Sequence, residues 1–127
     1  MSKIKFELEF PIHASASMLY TYFGTPAGLE EWFADKVNSR SKFITFIWDG
    51  VEEQAKILIN KTNERVKYKW MESKDDETYF EFRIEIDAIT KDVSLMITDF
   101  ADSKEDVAES KMLWENQIEE LKHTIGA

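Results

Sequence analysis

The fold of this chain is decided by residues 103–127, which read SKEDVAESKMLWENQIEELKHTIGA. Neither glycine nor proline interrupts residues 104–125, so this segment predicts a single long helix. Ser103 is a natural N-cap, because its hydroxyl can accept a hydrogen bond from an N–H group of the first turn. Gly126 can adopt the left-handed backbone conformation that ends a helix. Local chemistry alone therefore predicts both ends of the helix.

One face of this helix is apolar. The residues that recur at helical spacing along it are Val107, Trp114, Ile118, Leu121 and Ile125. Ser110 and Gln117 fall on or beside the same face. An apolar stripe of this length must be buried against another element. Strands upstream are the candidate, so we expect the helix to lie against a sheet.

The chain upstream is rich in segments where apolar and polar residues alternate. We predict six strands, at residues 3–10, 42–48, 52–59, 65–71, 77–88 and 93–100, and we interpret residues 37–41 as a loop or a ragged strand start. The alternation indicates that each strand buries one face and exposes the other. Short polar turns, including one at residues 73–76, join the last five strands and predict an antiparallel meander.

Two short helices are predicted between the first strand and the rest of the sheet. Ser15 or Ser17 would cap the first helix. Thr25 would cap the second, with a proline at its first helical position. This second helix would end near residues 34–35 and would carry Leu29, Trp32 and Phe33.

The composition suits one globular domain. The chain has 127 residues, 43% of them hydrophobic, and no cysteine. We predict a single domain over residues 1–127, since this length can bury a core. The lack of cysteine excludes disulfides, thiolate metal sites and a cysteine nucleophile. The N-terminal residues lack the apolar core of a signal peptide, and charges interrupt every hydrophobic run. We therefore expect a cytoplasmic protein without membrane insertion.

The net charge limits the classes of partner that the protein can bind. The formal net charge is −9, so phosphate backbones and anionic lipid surfaces are repelled on average. The sequence leaves room for a local basic patch, but no run of lysine and arginine indicates one, and we expect no nucleic acid partner. The acidic runs resemble neither a calcium loop nor a histidine–carboxylate set, so we predict neither a metal nor a cofactor.

Several short motifs carry a family likeness. They are HAS at 13–15, LEEWF at 29–33, VKYKW at 66–70, and Trp114 followed by Ile118 and by LK at 121–122. In this order they resemble the START-like superfamily, also called the helix-grip or SRPBCC fold. The nearest branch includes polyketide-cyclase-like proteins and homologues of the activator of the ninety-kilodalton heat-shock chaperone's ATPase. The likeness covers nearly the whole chain.

This resemblance implies an α+β domain with the helix-grip fold. A curved antiparallel sheet of about six strands, in the order β-α-α-β-β-β-β-β-α, would wrap around the long C-terminal helix. The resemblance also implies a cavity between sheet and helix. Members of the family bind lipids, sterols, polyketides or other apolar molecules there, and a few do chemistry, so the fold alone does not assign an activity.

Aromatic side chains should converge between sheet and helix in such a fold. They either fill the core or line an open pocket, and apolar pockets with few polar groups are the usual small-molecule sites. We predict these ligand-binding residues: Trp32, Phe33, Tyr68, Trp70, Phe80, Phe82, Ser110, Trp114 and Gln117. Tyr68, Ser110 and Gln117 would supply the polar groups.

The sequence and the resemblance are compatible with three functions. The first is non-enzymatic binding of a hydrophobic small molecule, lipid-like or polycyclic, in the cavity. The second, implied by the resemblance alone, is a protein-interaction module that modulates a chaperone ATPase. The third is a cyclase- or hydrolase-type enzyme, which needs an acid or base in the cavity. The candidates for that role are poor: His13, Tyr68 and Glu31. We therefore predict no catalytic residue.

Overall fold

The computed structural model describes residues 3–72 and 77–126. Its elements, in chain order, are β1 (Ile4–Pro11), α1 (Ala16–Gly24), α2 (Pro26–Leu29), β2 (Lys36–Arg40), β3 (Phe43–Trp48), β4 (Val51–Lys61), β5 (Arg65–Trp70), β6 (Phe80–Ile86), β7 (Val93–Ala101) and α3 (Lys104–Ile125). This is the predicted α+β order. The polar turn predicted at residues 73–76 lies outside the described residues.

The strands form one curved sheet of seven strands, in the order β1-β7-β6-β5-β4-β3-β2. Every neighbouring pair is antiparallel. Strands β2 to β7 follow one another as a meander, and β1 pairs with β7 in a register that sets Leu8 opposite Ile97. Because β1 and β2 occupy opposite edges, the chain between them crosses the sheet, and α1 packs against β5 and β6 on the way.

The long helix has the predicted bounds. The Ser103 hydroxyl accepts a hydrogen bond from the backbone N–H of Asp106 at 3.2 Å. Gly126 ends the helix in the left-handed conformation, with φ of 84°. The predicted apolar stripe faces the sheet, and its fully or nearly buried members are Trp114, Ile118 and Leu121. The helix packs against β1 and β7.

The sheet has one strand more than predicted. Residues 36–40, interpreted from the sequence as mostly loop or a ragged start, form β2 and pair with β3, where Val37 lies opposite Phe46. In this strand Val37 is buried and its other residues are exposed. A single buried side chain leaves no alternating pattern to detect, so the pairing with β3 determines this strand.

Two other predicted bounds were wrong. Helix α2 ends at Leu29 rather than near residues 34–35, because the chain turns there: the Leu29 carbonyl accepts from the N–H groups of both Phe33 and Ala34. Strand β6 covers Phe80–Ile86 rather than residues 77–88. Its ends are shorter since pairing with β5 begins at Phe80, opposite Tyr68.

The core lies between the inner face of the sheet and the helices. Its largest fully buried side chains are aromatic: Tyr68, Phe23, Phe46, Phe80 and Phe82. Among the helices of the described residues, none is both long enough and apolar enough to cross a membrane. The aromatic core extends toward the loop after α2, where the candidate site lies.

Candidate functional site

The ring of Phe33 joins a large cluster of aromatic side chains. Its centroid lies 5.1 Å from that of Phe46, 5.4 Å from that of Trp48 and 5.9 Å from that of Trp114. Other rings of the same cluster are Phe23, Trp32, Tyr68, Trp70, Phe80 and Phe82. Edge-to-face and stacked pairs of this kind stabilise a fold beyond simple burial. These rings pack against one another in the interior between sheet and helix.

The polar ends of the buried rings are bonded to the backbone. The Tyr68 hydroxyl donates to the carbonyl of Phe23 at 3.0 Å. The Trp32 indole N–H donates to the carbonyl of Tyr22 at 2.8 Å. Burial, and to a smaller extent the nearby Tyr20, raises the pKa of the Tyr68 hydroxyl above its usual value. Tyr68 is therefore a neutral hydrogen-bond donor that holds α1 on the sheet.

Asp99 is the partner of the Trp114 indole. The indole N–H donates to the Asp99 carboxylate at 2.9 Å. Burial raises the pKa of this carboxyl group. The hydrogen bonds from Trp114 and from the Phe100 N–H oppose the effect, as does the charge of Lys3. Burial outweighs these contacts, so the folded state holds the proton of Asp99 more tightly than the unfolded chain does.

Because its pKa is raised, ionisation of Asp99 should lower the free energy of unfolding as the pH rises, and Asp99→Asn should remove this loss. Below about pH 4, Asp99 is protonated in both the folded and the unfolded state, so its ionisation does not reduce the free energy of unfolding. As the pH rises, the unfolded chain ionises first, so the native state loses stability until the folded pKa is passed. The free energy of unfolding of Asp99→Asn should therefore rise relative to the parent above about pH 4. Urea denaturation at a series of pH values measures this difference; a difference that falls with pH contradicts the assignment.

A cleft of about 450 Å³ opens at the edge of the ring cluster. It lies between the loop after α2, the end of β3 and the second half of α3. Its lining residues are Glu30, Glu31, Trp32, Phe33, Ala34, Asp35, Trp48, Gln117 and Glu120. Indole and phenyl groups supply the apolar part of the wall. The volume falls within the range of small-molecule sites, which is roughly 300–1,000 Å³.

Hydrogen bonds hold the loop that forms one wall of this cleft. The Phe33 carbonyl accepts from the Trp48 indole at 2.6 Å and from the Gln117 amide at 3.4 Å. One oxygen thus joins the loop to β3 and to α3. The Glu30 carboxylate accepts from the backbone N–H of Val37 at 2.9 Å. The wall is therefore preformed, which lowers the entropy that a ligand must offset on binding.

Carboxylates surround the mouth of the cleft. Glu30, Glu31, Asp35 and Glu120 belong to its lining, and no lysine, arginine or histidine does among the described residues. Asp35 is held by the backbone N–H of Asp49, which donates to it at 2.7 Å. The cleft thus combines an aromatic wall with a negative rim. Such a rim favours neutral or cationic groups over anionic ones.

The predicted site residues separate into groups. Those that line the cleft are Trp32, Phe33 and Gln117. Those that lie inside the ring cluster are Tyr68, Phe80, Phe82 and Trp114. Trp70 stacks on Phe80 and lines a separate depression of about 230 Å³. Ser110 is half-buried on α3. Their role as ligand-binding residues stays a prediction.

Sequence reasoning missed Trp48, Ala34 and, apart from Glu31, the acidic rim. Trp48 ends β3 and precedes the Asp49–Gly50 turn, so its alternation with Phe46 could have placed it beside the cluster. No local pattern relates residues 30–35 to Glu120, because the cleft joins segments far apart in the chain.

The candidate catalytic residues do not meet. His13 is exposed in the turn after β1, Tyr68 is buried against Phe23, and Glu31 lies at the cleft. Within residues 3–72 and 77–126, no group of three or more histidine, aspartate or glutamate side chains is placed to hold a metal ion.

The chain matches one family model over its whole length. The model describes the START-like superfamily domain, and the match covers residues 1–127. Among curated proteins, none matches the sequence.

Solved structures share this architecture. The solution structure of BfR322 from Bacteroides fragilis is 33% identical, with 98% of this chain and 93% of that chain aligned and a TM-score of 0.70. The Aha1 dimer from Colwellia psychrerythraea is 17% identical over 94% of this chain and 93% of its own, with a TM-score of 0.77. DynU16, from the dynemicin biosynthetic locus, is 13% identical over 97% of this chain and 47% of its own, with a TM-score of 0.80. At 17% and 13% identity, the likeness to the Aha1 and DynU16 structures is one of fold alone.

Proposed function

The chain belongs to the START-like superfamily, and from that premise we propose that it binds a hydrophobic small molecule without transforming it. The site is the cleft beside α3. The observation that supports this proposal is an open, preformed depression of about 450 Å³, whose lining includes the largely buried rings of Trp32 and Phe33 and the half-buried ring of Trp48. Apolar surface buried there contributes about 25 cal/mol per Å².

The ligand is a flat or chain-like apolar molecule whose polar end is neutral or cationic. The acidic rim supports this choice, since a carboxylate or phosphate on the ligand would face Glu31 and Glu120. Among the described residues, the carboxylate of neither glutamate forms an ion pair or accepts a hydrogen bond; the Glu120 residue accepts one from Thr124 through its backbone carbonyl. Both carboxylates can therefore accept hydrogen bonds from a bound ammonium or hydroxyl group.

The location at the cleft, rather than deep in the core, follows from packing. Tyr68, Phe80 and Phe82 are at most 1% exposed and lie in contact with other rings. A ligand among them would have to displace side chains packed at the density of an organic crystal. The cleft needs no such displacement.

Substitution at Gln117 tests the proposal. Gln117→Trp should fill the cleft and weaken ligand binding at least about tenfold, since an indole would occupy the ligand's volume. The probes are naphthalene carrying a methylamine, a methanol or a carboxylate group. Amide chemical shifts on labelled protein report binding, and the expected order of affinity is amine, then alcohol, then carboxylate.

Asn116→Trp is the matched control. Asn116 is exposed on the same helix, so this substitution adds the same side chain outside the cleft. Its affinities should equal those of the parent. If none of the three probes shifts the signals of Trp32, Trp48 and Gln117, the binding proposal is wrong. If the carboxylate binds best, the cleft binds ligands but the charge preference is wrong.

Modulation of a chaperone ATPase remains a prediction. The Aha1 dimer supports it at the level of fold only, at 17% identity. No contact of the described residues favours it over the cleft.

A further inference from the structure

The outer face of the sheet carries a positive cluster. Because side chains alternate along a strand, the outward residues are the ones between those buried in the core. On β4 and β5 the outward cations are Lys56, Lys61, Arg65, Lys67 and Lys69. We name this set the outer basic face. The sequence shows no basic run, because these residues come from two strands and alternate there with core residues.

The strand register sets like charges opposite one another. Lys56 is paired with Lys69, and Lys61 with Arg65. Side chains directly opposite on an antiparallel pair are about 5 Å apart at Cβ, and like charges there are destabilising. Folding stability would favour a carboxylate in one position of each pair. Two such pairs in neighbouring strands are unfavourable for folding and favourable for binding an anionic partner.

Nearby carboxylates offset only part of this charge. Arg65 lies 3.5 Å from Glu81, and Lys61 lies 4.0 Å from Glu64. The Lys67 ammonium lies 3.9 Å from the centre of the Tyr79 ring. For Lys56, the described residues provide no ion pair. Lys67 also lies opposite Glu81 in the strand register. The positive charge that remains without an ion pair among the described residues is therefore that of Lys56.

The opposite side of the molecule is acidic. The exposed carboxylates of α3 are Glu105, Asp106, Glu109, Glu115, Glu119 and Glu120. The net charge of the chain is −9, and the outer face of the sheet also carries carboxylates on β1 and β6, so the excess of cations is confined to β4 and β5. A partner that approaches the sheet face is attracted only if it is anionic and small enough to stay away from the helix side.

We propose that the outer basic face docks an acidic, extended segment of another protein. Exposed apolar side chains border the cations: Phe43 is 37% exposed beside Lys56, and Leu58 is 44% exposed at the bulge of β4. The segment therefore carries apolar residues beside its carboxylates. This interaction is independent of the ligand cleft, which lies on the other side of the sheet.

A polypeptide fits this face better than nucleic acid or a second copy. Single-stranded nucleic acid needs a series of free ring faces for stacking. Tyr79 is packed edge-on against Phe100 and covered by Lys67, which leaves Phe43 as the exposed ring beside the cations. If α3 of a second copy docked on the outer basic face, the contact would join two different surfaces. Such head-to-tail contacts add further copies into open chains unless the rotation between copies closes a ring.

Titration of the full chain with short peptides tests the proposal. The probe is a fluorescent peptide of about ten residues, long enough to cross the face at about 3.3 Å per residue. It is rich in aspartate and glutamate and contains leucine and phenylalanine. Fluorescence anisotropy should show binding that weakens with added salt, and amide shifts should concentrate on β4 and β5. A peptide with amides in place of carboxylates should not bind.

Lys56→Glu should weaken peptide binding at least about fivefold, because it places a carboxylate in the face. The variant should stay folded, since its new carboxylate faces Lys69 across the strand pair. Lys56→Gln should give a smaller loss. The matched control is Lys104→Glu, which makes the same change in net charge at the start of α3 and should retain the parent affinity.

The inference would be overturned if the neutral peptide bound as tightly as the acidic one, or if a single-stranded oligonucleotide of the same length bound more tightly. It would also be overturned if Lys104→Glu lost as much affinity for the peptide as Lys56→Glu. Self-association of the protein that the acidic peptide does not inhibit would likewise overturn it.

Discussion

Gly28→Ala is expected to destabilise the protein by about 4 kcal/mol or more, above the usual range for overpacking. A Cβ atom at position 28 would lie 1.9 Å from the carbonyl oxygen of Thr21 and 2.6 Å from the Cα of Tyr22. Both are backbone atoms of α1, so no side chain can move aside to make room. Helix α2 would have to separate from α1, although the Thr25 hydroxyl also joins them by bonds to Thr21 and Gly28.

The consequence reaches the ligand cleft. The loop that follows α2 carries Trp32, whose indole is bonded to the carbonyl of Tyr22 on α1. Displacement of α2 would break this bond and move the wall of the cleft. We therefore expect any Gly28→Ala protein that still folds to bind the naphthalene probes more weakly.

Gly50→Ala is the control for Gly28→Ala. Gly50 has φ of 82°, and among the described residues no atom beyond its chain neighbours lies within 4 Å of the added Cβ. Its substitution therefore introduces backbone strain without a clash and costs about 1–2 kcal/mol. Urea denaturation compares the two variants. If Gly28→Ala costs no more than Gly50→Ala, the close approach of α2 to α1 does not explain the glycine at position 28.

Trp114→Ala is expected to cost roughly 3–5 kcal/mol, the usual range for removing a large buried aromatic side chain. Trp114 is 7% exposed. Its ring stacks on Phe33 at 5.9 Å and meets the edge of Phe82 at 5.7 Å. The substitution opens a cavity in the ring cluster and also removes the donor that satisfies Asp99.

Trp114→Phe separates these two contributions. It keeps a ring in the cluster and loses the hydrogen bond to Asp99, so we expect a smaller cost, about 1–3 kcal/mol. Met112→Ala is the surface control on the same helix, since Met112 is 65% exposed, and its effect should stay within about 0.5 kcal/mol. A midpoint of urea denaturation that barely moves in Trp114→Ala would show that the helix does not pack by this face.

The sequence alone determined the parts of the fold that depend on local chemistry. Helix α3 begins after the Ser103 cap and ends at Gly126, as predicted, because capping and left-handed conformations are properties of single residues. Long alternating segments such as β1 and β5 were predicted because every second residue enters the core. The convergence of the aromatic residues followed from those two predictions together.

Only the tertiary structure decided the remaining features. Strand β2 exists because β3 offers it a hydrogen-bonding edge, and α2 stops at Leu29 because the chain must turn to reach that edge. The cleft requires that the Phe33 carbonyl meet both Trp48 and Gln117. The outer basic face requires the register that sets Lys56 opposite Lys69. These features arise from contacts between residues distant in the chain, and the pattern within one segment does not give the register or the side-chain contacts it makes with a distant segment.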